Sequence, residues 1–317
     1  RMESALTYHN TVSRIDREQA EALYKKEGAD ILSLSPSRLE KYGKCPFMHF
    51  VSYGLMPDEP RVYEVGGAEI GDVCHICLME LASSLTKKGV KITADESPWM
   101  SATEEGVYSK VDSVLEAKSR TYKEGILSDS KAEEYRTRRM RDVIRQTAWN
   151  MVKQVQRGST DSMSFESEFR RGKDLKPVSI PDTDVIIEGK IDRLDIMPGD
   201  YAKVIDYKSS SALKYRRAEV MSGLQLQLML YMRAAKESGH IPAGAFYFHV
   251  DRPSLNADKI TDITGDNGQP SETLKKKLAA EERKTYLMDG VMMNTAPVAN
   301  AIDNNDGKSD VVPATKN

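Results

Sequence analysis

The feature that most constrains this chain is a pair of alternating, charged segments joined by a tight turn. Glu188-Gly189-Lys190-Ile191-Asp192-Arg193-Leu194-Asp195 leads to Met197-Pro198-Gly199-Asp200, and the chain then runs from Tyr201 to Asp206-Tyr207-Lys208. Proline and glycine in the turn, with β-branched and apolar flanks, predict a hairpin with strands over 184–196 and 201–208. Side chains alternate faces along a strand, so Asp206 and Lys208 project together and Tyr207 turns into the sheet. The first strand lays Asp192 beside them. Two carboxylates and one ammonium at one spot suit phosphodiester hydrolysis. Carboxylates hold hard cations such as Mg2+ or Mn2+. Such a cation polarises a phosphoryl oxygen and lowers the pKa of bound water, and a nearby lysine orients that water or stabilises developing charge. An isolated Asp-x-Lys is usually a solvated strand face. Here apolar Val204 and Ile205 lead into it, and Gly-x-x-Asp-Arg-x-Asp stands one hairpin earlier.

The rest of the chain predicts helices first and strands later. Residues 1–31 are charged and weakly periodic, and read as a linker or terminal helix. Residues 33–56 carry a helical signal: Ser35 as N-cap, Pro36 at the first helical position, then a second helix from Pro46 that places Cys45 at its N-terminus. Ile70, Val73, Cys77, Leu81 and Leu85 follow a helical period over 69–85. Residues 100–158 are rich in Glu, Lys and Arg and read as a helical insertion. Strands are expected at 164–169 and 243–250, with helix over 213–237 between. Residues 294–317 read as loop or tail. The architecture this implies is mixed α/β.

Gly189 to Arg193 together with Asp206-Tyr207-Lys208 resembles the RecB-family branch of the PD-(D/E)XK nucleases. The resemblance implies a restriction-endonuclease-like core, a small mixed sheet flanked by helices, carrying a helical insertion. In that family a Gly-x-x-x-His helix lends its histidine to the metal shell; Gly71-Asp72-Val73-Cys74-His75 matches it. The implied metal ligands are His75, Asp192 and Asp206, with Lys208 as the catalytic ammonium. A Gln-x-x-x-Tyr motif is matched by Gln227 and Tyr231, which share one helix face and by resemblance contact the DNA backbone or brace the lysine. Ser35 to Phe47 is similar to the start of AddB-type nuclease domains. There the cysteine before Pro-Phe, here Cys45, is one ligand of a 4Fe-4S cluster whose other three lie near the domain's end. No cysteine follows Cys77, so the resemblance implies a cluster completed only in a longer chain, with this domain spanning 32–293 and truncated. The opening Arg1 points the same way.

The function implied is Mg-dependent exonucleolytic hydrolysis of single-stranded DNA, beside an AddA-like helicase–nuclease subunit, in double-strand break end resection and recombination repair. Two alternatives are a catalytically silent nuclease-fold module that grips DNA and a stand-alone iron–sulfur exonuclease. A net charge of −2 excludes a uniformly basic DNA-coating protein but not a local site. Arg216 and Arg217, and more weakly Arg138, Arg139 and Arg141, are the candidate phosphate contacts. Three cysteines are too few for a disulfide framework, so a reducing, cytoplasmic setting is expected. No Walker-type glycine–lysine loop is present.

Overall fold

The computed structural model describes residues 15–25, 29–58, 66–128, 130–209, 214–253 and 271–303. Most of the expected N-terminal linker (1–14 and 26–28), the start of the 213–237 helix and most of the expected tail (304–317) lie outside the described residues. In chain order the strands are β1 (Leu32–Leu34), β2 (Ser162–Phe169), β3 (Val178–Ser179), β4 (Val185–Ile187), β5 (Gly189–Met197), β6 (Tyr201–Lys208), β7 (Ile241–His249) and β8 (Asp289–Met292). The main sheet has the order β2-β5-β6-β7-β8 and is mixed, with β6 and β7 parallel and the other pairs antiparallel. A small sheet, β1-β4-β3, stands beside it.

Alternation along β6 and β7 splits the core into two layers. Ile205, Tyr207, Phe246 and Phe248 pack against the helices Gly67–Leu85, Glu104–Ser119 and Lys131–Arg157. Ala202, Val204, Ala245 and Tyr247 pack with Leu228, Tyr231, Ala234 and Ala235 of the helix Gln227–Glu237. The predicted hairpin turn is present, with Gly199 at φ 84° and Asp200 at φ 63°, left-handed values that glycine and aspartate tolerate best.

The helix starts follow from capping chemistry. Ser35 Oγ accepts the Arg38 N–H, and Pro36 occupies the first turn of the helix Pro36–Lys44. The insertion holds the helices Pro98–Ser101, Glu104–Ser119 and Lys131–Arg157, the last capped by Ser130. Val111, Leu115, Thr147, Met151 and Val155 are buried as their spacing predicts.

Several expectations are corrected. The 184–196 segment is two strands in different sheets. At Glu188 the chain crosses over, its N–H donating to the Leu34 carbonyl and its carboxylate accepting from Ser33 Oγ. Residues 32–34 form a strand on β4 rather than the start of a helix. The 213–237 region is broken into the helices Arg217–Met221 and Gln227–Glu237 by a turn through Gly223 at φ 75°. β7 is followed by β8, which pairs antiparallel with it. The helix Ala296–Ile302 replaces the start of the expected tail and buries Val298, Ala301 and Ile302 in the core, so the folded unit extends to Asp303.

Candidate metal centre and lysine site

The site forms where backbone pairing fails. The β5–β6 ladder ends at Arg193↔Ile205. The β2–β5 ladder passes from Phe165↔Arg193 to Ser167↔Ile191 with no pair between them. Both interruptions flank Asp192. On one side Asp192 Oδ2 accepts the Tyr207 N–H at 2.9 Å, a donor the ladder leaves free. On the other side Glu166 takes φ 55°. That conformation is uncommon for a residue other than glycine and concentrates at functional positions.

His75 reaches this fork from the helix Gly67–Leu85. Its ring stands edge-on to Tyr207, with centroids 5.7 Å apart. Nε2 is 3.7 Å from Asp192 Oδ2, and Nδ1 is 3.5 Å from Glu166 Oε1. Ligand atoms of His75, Glu166 and Asp192 lie within 4.8 Å of one another. They line a cleft of about 410 Å³ shared with Gly71, Tyr122 and Lys190. Gly71 keeps the cleft open: a Cβ there would have Ser209 Oγ, 3.9 Å away, as its only neighbour within contact range among the described residues. Lys190 forms an ion pair with Glu166.

Asp206 stands apart from that triad. It is 1% exposed, and its Oδ2 lies 2.6 Å from Lys208 Nζ. Burial first, then the charge of Asp192, pushes its carboxyl above the usual carboxylate range, against opposing pulls from Lys208 and His75. The expected ligand set was His75, Asp192 and Asp206. The structure groups His75 and Asp192 with Glu166, and pairs Asp206 with Lys208. Strand alternation is the reason: Tyr207 faces the layer that carries His75, whereas Asp206 and Lys208 face the opposite layer. Asp192 is adjacent to both.

Lys208 Nζ donates to Gln227 Oε1 at 2.9 Å, and Gln227 Nε2 donates to Tyr231 Oη at 2.7 Å. Tyr231 is buried edge-on against Phe169. Of the two roles implied for Gln227 and Tyr231, this geometry places them behind the lysine.

Sequence reading missed three things. Glu166 looked like one of two alternating strand glutamates. Glu40 accepts the N–H groups of Leu226 and Gln227, a contact between residues too far apart in sequence to be seen. Arg193 and Asp195 form a fully buried ion pair, joined by Lys203, Gln154 and the Tyr207 hydroxyl. This cluster lies under Tyr207 and fixes the floor of the site.

The arginine groups are largely engaged. Arg138 and Arg141 pair with Glu134 and Asp112, and Arg216 pairs with Glu219, while Arg217 is exposed.

The donor set fits a hard divalent cation. It is rich in carboxylate oxygen and includes one imidazole, and the buried Asp206 Oδ2 has no hydrogen bond among the described residues beyond its lysine ion pair. The thiols do not fit a four-thiolate cluster. Cys45 is the N-cap of the helix Pro46–Phe50, its Sγ accepting the Met48 N–H. Cys74 and Cys77 are sealed in the core, and burial pushes both thiols up, Cys77 to about 12, away from the thiolate a cluster needs.

Known proteins agree with this fold. Residues 33–305 match the family model described as the PD-(D/E)XK nuclease superfamily, and the chain belongs to that superfamily. It is similar to an ATP-dependent helicase/deoxyribonuclease subunit of Thermoanaerobacter sp. (strain X514), at 30% identity over 98% of this chain and 26% of the relative. The like-named protein from Alkaliphilus metalliredigens (strain QYMF) is 28% identical over 99% of this chain and 26% of the relative. Both belong to the AddB type. The chain thus spans about a quarter of the length of the curated relatives it matches. No helix among the described residues is long and apolar enough to cross a membrane.

Proposed function

We propose that this chain is the nuclease portion of a helicase–nuclease subunit, and that it hydrolyses phosphodiester bonds of single-stranded DNA with Mg2+ or Mn2+. The proposal extends to its setting: a cytoplasmic complex with an AddA-like helicase subunit, acting on broken DNA ends during resection and recombination repair. Residues 32–303 would be the nuclease unit, with 100–158 as a helical insertion. The observation that carries this reading is the fork at Asp192, where one carboxylate adjoins both the His75–Glu166 cleft and the Asp206–Lys208 pair.

In this mechanism His75, Glu166, Asp192 and Asp206 are the residues that would hold the cation. When bound, the cation supplies Lewis acidity and a water of lowered pKa. Lys208, held from behind by Gln227, keeps one ammonium against the scissile phosphate, where charge accumulates in the transition state. Asp192 holds its orientation through the Tyr207 N–H, and the buried Arg193 holds the Tyr207 ring that His75 packs against. Lys190, paired with Glu166 at the cleft mouth, is placed to meet the incoming phosphodiester backbone.

The test is release of labelled nucleotides from single-stranded DNA by the full-length protein with its partner subunit. Cleavage should require added Mg2+ or Mn2+ and stop on chelation. Chelator-resistant cleavage, or DNA binding with no cleavage in either metal, contradicts the reading.

A further inference from the structure

We propose that Glu40 is a positioning residue for the catalytic lysine, acting through the N-terminus of the Gln227 helix. The inference rests on the nuclease reading above.

Four contacts carry it. Glu40 Oε1 accepts the N–H of Leu226 at 2.7 Å and of Gln227 at 2.9 Å. Gln227 Oε1 accepts from Lys208 Nζ at 2.9 Å, and Gln227 Nε2 donates to Tyr231 at 2.7 Å. The first N–H groups of a helix have no partner within it and attract negative charge. Most helices satisfy them with a Ser, Thr, Asp or Asn at the N-cap. Here the N-cap is Leu226, which has no oxygen to offer, and no side-chain cap bond is made locally. A carboxylate 187 positions away from Gln227 does that work instead.

The consequence reaches the site because the capped residue is Gln227 itself. Its backbone is fixed by Glu40 and its amide is oriented by Tyr231, so its carbonyl oxygen is aimed at Lys208 from both ends. The approach of the two segments is tight. A Cβ at Gly43, one turn beyond Glu40 on the helix Pro36–Lys44, would lie 2.8 Å from the Gly223 carbonyl oxygen. The N-terminal helix that carries Glu40, and that ends at Cys45, is thereby joined to the lysine's support.

The experiment compares Glu40→Ala, Glu40→Gln and Gln227→Ala, together with the Glu40→Ala/Gln227→Ala double variant, in the full-length complex, measuring kcat, KM for single-stranded DNA and melting temperature. Glu40→Ala should lower kcat about tenfold, less than the ~10²–10³ typical of losing a preorganised group outright, with KM changed less than about twofold. Glu40→Gln retains one acceptor oxygen and should recover most of the loss, since hydrogen bonding rather than charge does most of the aiming. In the Gln227→Ala background, Glu40→Ala should have almost no further effect on kcat, because the route to Lys208 is already cut. The proposal is overturned if Glu40→Ala leaves kcat at the wild-type value. It is equally overturned if its effect is undiminished in the Gln227→Ala background, or if kcat falls only in step with melting temperature. A wild-type complex that does not cleave DNA at all would contradict the nuclease reading instead, so the two failures are distinguishable.

Discussion

Asp206 is the residue at which stability and activity oppose each other. Burial and the nearby Asp192 raise its folded-state pKa above the ordinary carboxylate value. Between those two values the folded chain holds a proton that the unfolded chain has lost. The stabilisation is therefore complete below about pH 4 and is lost as pH rises through the folded-state pKa. Asp206→Asn removes the charge with little change in shape. In chelator at pH 8 it should raise Tm by about 2–4 °C, the shift ~1 kcal/mol gives in a chain of this size, and it should abolish cleavage. At pH 4 the Tm gain should disappear. An unchanged or lower Tm at pH 8 contradicts this account of the site's electrostatics. At this scale the sequence was informative wherever spacing alone sets geometry. The two-residue step from Asp206 to Lys208 and the four-residue step from Gln227 to Tyr231 each put a pair on one face. Glu166 was not legible, because its left-handed backbone beside Asp192 is a property of the strand pairing and not of the local sequence Ser-Phe-Glu-Ser-Glu-Phe.

At the scale of elements, the β2–β5 pair shows why the strand bearing Asp192 opens with glycine. Gly189 pairs with Phe169, whose ring lies across it; a Cβ there would come within 2.7 Å of Phe169 Cζ and 3.4 Å of Pro36 Cδ. Phe169 in turn meets Tyr231 edge-on. Gly189→Ala must push that ring out of its place, at a cost of about 1–3 kcal/mol, as for other overpacked interiors. Urea unfolding should show this as a lower midpoint with an unchanged slope, and a wild-type midpoint would refute the packing argument. Capping and alternation made the Ser35 helix, the histidine helix, the hairpin and β7 readable. The break at Glu188 was hidden, because Val185–Ile187 and Gly189–Met197 read as one β-rich run and only the crossover between sheets separates them. The helix Ala296–Ile302 was hidden by its seven-residue length, too short for a period to emerge, although its three buried side chains dock it firmly.

At the scale of the whole molecule, a net charge of −2 conceals local separation of charge. Carboxylates gather at the Asp192 fork, and beneath them the fully buried Arg193, Lys203 and Asp195 carry a net positive charge when all are ionised. The helical insertion forms the wall behind His75, and Tyr122 and Lys123 tie it to Asp72 and Glu69 of the histidine helix. These long-range pairings follow from the fold and could not be read from local pattern, whereas the catalytic strand could. The central claim is that Lys208 serves the reaction and not the grip on DNA, and Lys208→Ala in the intact complex tests it most directly. Cleavage of labelled single-stranded DNA should fall by about 10²–10³ while equilibrium affinity for the same strand, measured in Ca2+ or chelator, changes less than about threefold, since one phosphate-facing charge among several is lost. Cleavage at the wild-type rate, or a loss of affinity as large as the loss of rate, would contradict the account.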